Sequence, residues 1–222
     1  MTKFDRPFRQ SAHKIMIVVI DYGMGNLKSV QKAGEHLGKN LRVTDFPAII
    51  KKAKKIIFPG VGNFKQAVKE LKKRKIFDVL VGRIKEGVPF FGICLGMQLL
   101  LEASEEAPGV KGLGVLKGKV KKFNERRIIV PHMGWNQIRI TNQKSKIKND
   151  KLFKGITDGS YFYFAHSYYC DITEDDAMLA TTKYGMSFPS ACCKKNIWGV
   201  QFHPEKSQKL GLKLFKNFLN LC

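Results

Sequence analysis

The sequence predicts an α/β fold with a mostly parallel central sheet and helices on both faces. Short apolar runs of strand length alternate with stretches of helical periodicity through the first half of the chain. Repeated units of this kind build parallel sheets whose strands are buried on both sides. The hydrophobic fraction is 44% and there are 16 Phe, which is enough apolar material for a buried core.

The predicted elements of the first half follow from these runs in order. The expected strands cover residues 15–20, 41–44, 55–58 and 88–93. The expected helices cover residues 27–37, 64–73, 77–86 and 95–102. Gly38 stands where a residue that ends a helix is expected. The alternation predicts βα units joined into one parallel sheet.

The second half is richer in strands and turns. Strands are expected at residues 119–123, 135–140, 161–168, 177–182 and 197–202, and a last helix at 208–221. Neither an internal repeat nor a low-complexity linker interrupts the pattern. We therefore expect one domain over residues 15–222. Residues 1–14 are polar and lack periodicity, which predicts a disordered leader.

The composition indicates the cellular compartment and the class of binding partner. The formal charge of +22 comes from 40 Lys and Arg against 18 Asp and Glu, and a basic nucleic-acid-binding domain is one alternative interpretation. The lysines are interleaved with apolar residues, however, and lack an aromatic RNA-binding signature, so no nucleic acid is expected. Five cysteines without metal-like spacing, no secretory signal and no membrane-length apolar run predict reduced thiols, no metal and a cytoplasmic location.

A nucleophile is predicted at Cys94. Residues 92–96 have the form G-x-C-x-G between a predicted strand and a predicted helix, the thiol counterpart of the nucleophile elbow. The glycines permit a tight turn, and the helix N-terminus favours a thiolate. Taken alone, the same pentapeptide is equally compatible with a structural cysteine beside turn glycines.

A base and its orienting group are predicted from His203 and Glu205. His203 follows the last predicted strand, and Glu205 lies two positions later. A carboxylate in this place can hold the imidazole tautomer and stabilise the imidazolium. Backbone N–H groups near Gly60 and Val61, together with that of Leu95, are candidate oxyanion donors.

Four chemically suggestive segments all follow predicted strands. They are residues 21–26, residues 59–62, Cys94 and His203. Functional groups of open parallel sheets gather at the carboxyl ends of the strands. The four segments are therefore expected to meet at one edge of one sheet.

These residues resemble the class I, or triad, glutamine amidotransferases, and within them the glutaminase subunits of imidazole glycerol phosphate synthases. The resemblance runs from about Ile15 to the end of the chain, and Met97 and the HMGWN stretch favour that subfamily. The segments that carry it are residues 21–27, 59–62, 92–98, 131–136, 165–168 and 201–207.

The resemblance implies a flavodoxin-like three-layer sandwich, no cofactor, and roles for individual residues. Catalysis is implied for Cys94, His203 and Glu205, and oxyanion stabilisation for Gly60, Val61 and Leu95. The implied substrate-binding residues are Gly62, Gln98, His166, Ser167 and Tyr168. The implied partner-interface residues are Asn26, Trp135 and Lys206.

The implied activity is hydrolysis of L-glutamine, with ammonia passed to a (β/α)8 cyclase subunit in a heterodimer. That cyclase forms imidazole glycerol phosphate and aminoimidazole-carboxamide ribonucleotide in histidine biosynthesis. Two other enzymes remain open at this point. One is a paralogue that supplies ammonia to a synthase amidating a surface sugar, and the other is a γ-glutamyl peptide hydrolase.

Overall fold

The computed structural model describes residues 15–124, 126, 128–141 and 151–222. The predicted leader, residues 1–14, lies outside the described residues. The strands are β1 Ile17–Ile20, β2 Leu41–Thr44, β3 Lys55–Gly60, β4 Phe90–Cys94, β5 Ala103–Ser104, β6 Gly118–Lys122, β7 His132–Gln137, β8 Arg139–Ile140, β9 Tyr161–His166, β10 Tyr168–Ile172, β11 Met178–Tyr184, β12 Met186–Lys194 and β13 Ile197–Val200. The α-helices are α1 Leu27–His36, α2 Pro47–Ile50, α3 Phe64–Lys73, α4 Phe77–Lys85, α5 Leu95–Gln98 and α6 Gln208–Leu221.

The central sheet confirms the predicted fold class. Its strand order is β2-β1-β3-β4-β13-β12-β11-β8. The first five strands are parallel, and the pairs β13–β12, β12–β11 and β11–β8 are antiparallel. Every residue of β1, β3, β4 and β13 is buried. Continuous burial is the property expected of parallel strands that are covered on both faces.

Two hydrophobic clusters, one on each face of the sheet, make the structure three-layered. On one face Phe91 packs against Phe215 and Phe218 of α6, and α1 joins the same cluster. On the other face Phe58 and Phe90 pack in a cluster with the apolar residues of α3 and α4. The helices cover the sheet because each has a single apolar stripe to bury.

A two-stranded ribbon, β7 with β9, stands beside the main sheet. The strands are antiparallel, with His132 opposite His166 and Trp135 opposite Tyr163. Side chains alternate along β7, so His132 is buried whereas Met133 and Trp135 are exposed. The ribbon therefore presents one face to the interior and one to solvent.

Most predicted elements are present, and the differences have local causes. The long predicted strand at 161–168 is two strands separated by Ser167, and β7 begins at His132 rather than at 135. The sequence did not indicate β12, which contains Pro189. That proline pairs with Thr181 beside an irregularity in the ladder, which is where a strand tolerates proline.

Lys55 joins the sheet to the last helix. This lysine is buried, and its Nζ donates to the carbonyl oxygens of Phe218 and Leu219 at 2.9 Å each. Burial lowers the pKa of Lys55. A cation at the carboxyl end of a helix satisfies carbonyls that lack intrahelical partners and complements the helix dipole. No described helix is long and apolar enough to cross a lipid bilayer.

Candidate active site

The carboxyl ends of β1, β3, β4 and β13 lie side by side. The strands are adjacent and parallel in the sheet, with Gly60 opposite Cys94 and Val200 opposite Ile93. The segments that follow these strands therefore share one edge. The structure thus brings together the four segments that the sequence placed after strands.

Cys94 sits in a backbone conformation that few residues other than glycine adopt. Its φ is 54° and its ψ is −110°, and holding a non-glycine residue in such a region costs about 1–3 kcal/mol. The neighbouring glycines make the turn possible. A Cβ on Gly96 would lie 1.9 Å from the carbonyl oxygen of Phe58, and one on Gly92 would lie 2.6 Å from that of Gly96.

The helix after Cys94 is shorter than predicted. The sequence indicated a helix over 95–102, whereas α5 ends at Gln98 after four residues. The partial charge of a helix N-terminus grows from aligned peptide dipoles, so one turn contributes little. Stabilisation of the nucleophile therefore has to come mainly from other groups around the Cys94 sulfur.

Besides its hydrogen bond with His203, Cys94 Sγ has two polar contacts with the described residues. The thiol reaches the carbonyl oxygen of Ala165 at 4.0 Å, and the side-chain amide of Gln201 donates to the sulfur at 3.7 Å. The Cys94 residue is 6% exposed, so the sulfur is largely shielded from water. Neither contact was indicated by the sequence motif.

His203 is held firmly in its place. Its Nδ1 donates to Glu205 Oε1 at 2.8 Å, and both side chains are 2% exposed. The His203 backbone N–H donates to Tyr163 O at 2.8 Å, and Ser207 Oγ donates to His203 O at 2.6 Å. Because Glu205 engages Nδ1, the other ring nitrogen, Nε2, is the one left for the Cys94 sulfur.

Electrostatics favour the imidazolium form of His203. Burial alone would lower its pKa, but the charge and hydrogen bond of Cys94, followed by those of Glu205, raise the pKa of His203 to about 10. The folded-state pKa thus exceeds the ordinary 6.5. The stability that these contacts provide is complete below about pH 6.5 and is lost as the pH rises through about 10.

A pocket opens beside Cys94 with a volume of about 220 Å³. Pockets for drug-sized ligands have volumes of ~300–1,000 Å³, so this one suits a ligand of amino-acid size. Its lining residues are Val61, Gly62, Cys94, Leu95, Gln98, Glu106, Pro131, Met133, Ala165, His166, Ser167 and Tyr168. All five residues expected to bind substrate are therefore at the pocket.

The contacts of Gln98 with described residues leave one of its polar atoms for a ligand. Its Nε2 donates to Tyr168 O at 3.0 Å and to Gln201 Oε1 at 3.2 Å. The two amide protons are thereby used, and Oε1 is left as an acceptor. A ligand group that binds Gln98 must therefore be a donor, such as an ammonium.

His166 lines the pocket, but its imidazole is occupied by protein groups. His166 Nδ1 donates to Tyr168 O at 2.8 Å, so its Nε2 accepts from His132 Nδ1 at 2.9 Å. His132 Nε2 in turn accepts from Asn136 Nδ2 at 3.1 Å. Burial lowers the pKa of His166 to about 3 and that of His132 to about 4. This neutral chain supports the pocket wall and does not offer a charge to a ligand.

Glu106 is a pocket residue that sequence reasoning missed. Its Oε2 accepts from the backbone N–H of Phe64 at 2.7 Å, which fixes the carboxylate at the start of α3. Among the described residues that line the pocket, Glu106 alone is acidic. No motif surrounds Glu106 in the sequence, so only the fold reveals its position.

The expected oxyanion residues surround Cys94. Gly60 pairs with Cys94 in the sheet, Leu95 follows Cys94 directly, and Val61 lines the pocket with 40% of its surface exposed. The strand β3 continues through Gly60, whereas the prediction ended it at Phe58. Tyr22 packs closely against this segment, since a Cβ on Gly60 would lie 2.3 Å from its hydroxyl.

Two of the three expected interface residues meet at Tyr163. Trp135 contacts the Tyr163 ring edge-on at 6.2 Å between centroids, and Lys206 Nζ lies 5.5 Å from the same ring. The third, Asn26, precedes α1 and makes no side-chain cap there. Helix α1 contacts the turn that contains Lys206. Within the described residues, no group of three or more His, Cys, Asp or Glu is arranged to hold a metal ion.

The His203 contacts predict a titration that NMR can follow. In the wild-type chain, the His203 ring should still be protonated at about pH 8, where His166 stays neutral. In Cys94→Ala the pKa of His203 should fall, because the two contributions of the sulfur are lost while Glu205 remains. A His203 signal that titrates near pH 6.5 in both proteins would contradict the pairing.

Comparison with known proteins gives this geometry a family. The family model "Glutamine amidotransferase class-I" matches residues 18–221. The imidazole glycerol phosphate synthase subunit HisH of Pyrococcus furiosus is 49% identical over 206 residues, covering 92% of this chain and 98% of the relative. The subunit of the same name from Methanocaldococcus jannaschii is 46% identical over 206 residues, covering 93% of this chain and 100% of the relative.

Solved structures agree at the level of the fold. A structure described as PurLQS from Thermotoga maritima matches with a TM-score of 0.69 and 19% identity, covering 93% of this chain and 98% of that one. A structure described as a glutamine amidotransferase matches with a TM-score of 0.66 and 18% identity, covering 90% and 96%. The chain belongs to the class I glutamine amidotransferase family, and its 46–49% identical relatives are imidazole glycerol phosphate synthase subunits HisH.

Proposed function

We propose that this chain is the glutaminase subunit of an imidazole glycerol phosphate synthase, and that residues 15–222 form its amidotransferase domain. The observation that carries the chemistry is the meeting of Cys94 with the buried His203–Glu205 pair beside a pocket of amino-acid size. Close relatives that align over nearly their whole length support the assignment. A cytoplasmic location is part of the proposal.

The amino-acid head of glutamine would bind to Gln98 and Glu106, which both line the pocket. The Glu106 carboxylate and Gln98 Oε1 are both acceptors, so together they suit the substrate ammonium. Ser167 and Tyr168 line the same pocket. In this arrangement the ring of His166 supports the pocket wall, and the ligand contacts the residues that follow it, Ser167 and Tyr168.

Acylation would then follow from the geometry at Cys94. The thiolate attacks the carboxamide carbon, and the oxygen gains negative charge that backbone N–H groups near Gly60, Val61 and Leu95 would stabilise. His203 already carries the proton, so its Nε2 donates that proton to the departing nitrogen. The carbon–nitrogen bond breaks, ammonia leaves and a glutamyl thioester remains on Cys94.

Deacylation would reverse the proton movement. The neutral imidazole of His203 accepts a proton from water, and the resulting hydroxide attacks the thioester carbon. The carbon–sulfur bond breaks, which releases glutamate and restores the thiolate beside the imidazolium. Glu205 keeps its hydrogen bond to Nδ1 throughout and stabilises the charged ring.

The partner would be a (β/α)8 cyclase subunit that receives the ammonia and forms imidazole glycerol phosphate. Ammonia released into bulk water would be protonated and lose its nucleophilicity, so direct transfer is required. Exposed apolar side chains at and near the pocket support docking there. Val61 and Met133 line the pocket and are 40% and 65% exposed, and Trp135, two residues after Met133 on β7, is 46% exposed. Lys206 and Asn26 lie on elements at the same edge.

Replacing the nucleophile separates glutamine use from ammonia use. In a complex with the cyclase subunit, Cys94→Ala should lower glutamine-dependent turnover by at least about 10³-fold. Turnover supplied with ammonium salts should persist, because the cyclase is untouched. Cys222→Ser, which alters a thiol directly after the last helix, is the matched control and should keep both activities. Glutamine hydrolysis by Cys94→Ala would remove the assignment.

Glu106→Gln tests the proposed seat of the substrate ammonium. The amide oxygen can still accept from Phe64 N–H, so the fold is preserved while the charge is lost. A hydrogen bond to a charged group contributes about 1.5–3 kcal/mol, so KM for glutamine should rise about 10- to 100-fold with kcat changed much less. Steady-state kinetics with the cyclase subunit give both constants, and the neighbouring Glu105→Gln should leave them unchanged. An unaltered KM would place the ammonium elsewhere.

A further inference from the structure

Gln201 is a fully buried polar residue beside the nucleophile, and it lies outside the triad. It follows β13 and precedes His203 by two residues. Its Nε2 donates to Cys94 Sγ at 3.7 Å, and its Oε1 accepts from Gln98 Nε2 at 3.2 Å. Its backbone N–H donates to Ser190 O at 2.9 Å, so the main chain is fixed by β12.

The orientation of the Gln201 amide is set by its neighbours. Gln98 offers a donor to it, because the remaining bond of Gln98 Nε2 goes to a carbonyl, Tyr168 O, which can only accept. Gln201 must therefore turn its oxygen towards Gln98 and its nitrogen towards Cys94. The side chain is a fixed donor aimed at sulfur.

Cys94 Sγ has one contact with a carbonyl and one with an amide N–H, and the two favour opposite protonation states of the sulfur. A thiol can donate to Ala165 O, whereas a thiolate can only be repelled by that carbonyl. A thiolate gains from the N–H of Gln201, because hydrogen bonds to a charged acceptor are stronger than neutral ones. Because α5 is only one turn long, its dipole contributes little to stabilising a thiolate. Gln201 supplies a fixed neutral donor to the sulfur instead.

We propose that Gln201 is a further catalytic residue, the donor that orients the Cys94 sulfur and stabilises its thiolate. The proposal deepens the proposed glutaminase function and rests on it. It also links two parts of the site. The substrate ammonium would bind Gln98 Oε1, Gln98 donates to Gln201, and Gln201 donates to the nucleophile, so these hydrogen bonds polarise one another in series.

Gln201→Met tests the proposal, because methionine has a similar length and cannot donate. The rate of Cys94 alkylation by iodoacetamide is measured on the full chain at one fixed pH near neutrality, with mass spectrometry to identify the site. We expect a loss of about tenfold, the value of one hydrogen bond to a charged group. Gln201→Leu, which is also apolar and lacks a donor, should lose at least as much.

Steady-state kinetics with the cyclase subunit distinguish this role from simple packing. In Gln201→Met, kcat should fall about tenfold while KM changes by less than about twofold, because Gln98 keeps its bond to Tyr168 O. Asn217→Leu is the control for a lost buried amide. Asn217 bonds the carbonyls of Leu152 and Lys154 in another part of the fold, so its loss should lower thermal stability and leave alkylation unchanged.

The outcomes separate the two proposals. Wild-type alkylation and kcat in folded Gln201→Met would overturn the role of Gln201, and so would wild-type values in Gln201→Leu if the Met variant does not fold. A slowed alkylation rate equalled by Asn217→Leu would also overturn it, since packing would then explain the loss. A wild-type complex without glutamine turnover would refute the glutaminase proposal, whereas the alkylation rates would still decide the role of Gln201.

Discussion

The structure depends on holding one cysteine in a backbone conformation that is unfavourable for it. Cys94, with φ of 54°, ends β4 between β3 and β13, and the turn closes only because Gly92 and Gly96 have no side chain. The conformation costs about 1–3 kcal/mol, and the packed sheet on both sides compensates for it. The benefit is that sulfur, imidazole and pocket share one edge.

Burial makes the charges of the site depend on one another. His203 and Glu205 are almost fully shielded, and Glu205 Oε2 has no hydrogen-bond partner in the described structure. A single unpaired charge buried here would destabilise the fold, so the imidazolium of His203 and the carboxylate of Glu205 each require the other. The raised pKa of His203 follows from this mutual dependence. Because α5 is short, its dipole stabilises a thiolate only weakly, and hydrogen-bond donors such as Gln201 take over this role.

Sequence patterns predicted the parallel sheet and the edge where the chemistry gathers, since apolar runs and turn residues report local structure. They could not reveal contacts between distant segments. Glu106 is held at the pocket by its hydrogen bond to the first residue of α3, which is distant in sequence. Gln201 belongs to the segment 201–207 that carries the resemblance, but its contact with Cys94 of the neighbouring strand β4 has no local signature. The resemblance implied that His166 binds the substrate, but in the structure its imidazole is hydrogen-bonded to His132, which lies thirty-four positions away in sequence. The sequence did not indicate β12 because it contains Pro189, and the strand tolerates this proline only beside an irregularity in its pairing with β11.

The proposed chemistry requires Cys94 to be the activated thiol of the pocket. A labelling experiment tests this requirement: the chain, in complex with the cyclase subunit, is treated with a glutamine-like electrophile, and the adduct is located by mass spectrometry. We expect one equivalent of label on Cys94, blocked by excess glutamine and strongly slowed in Glu106→Gln. Labelling of Cys192 or Cys222 in preference to Cys94, or labelling that glutamine does not prevent, would contradict it.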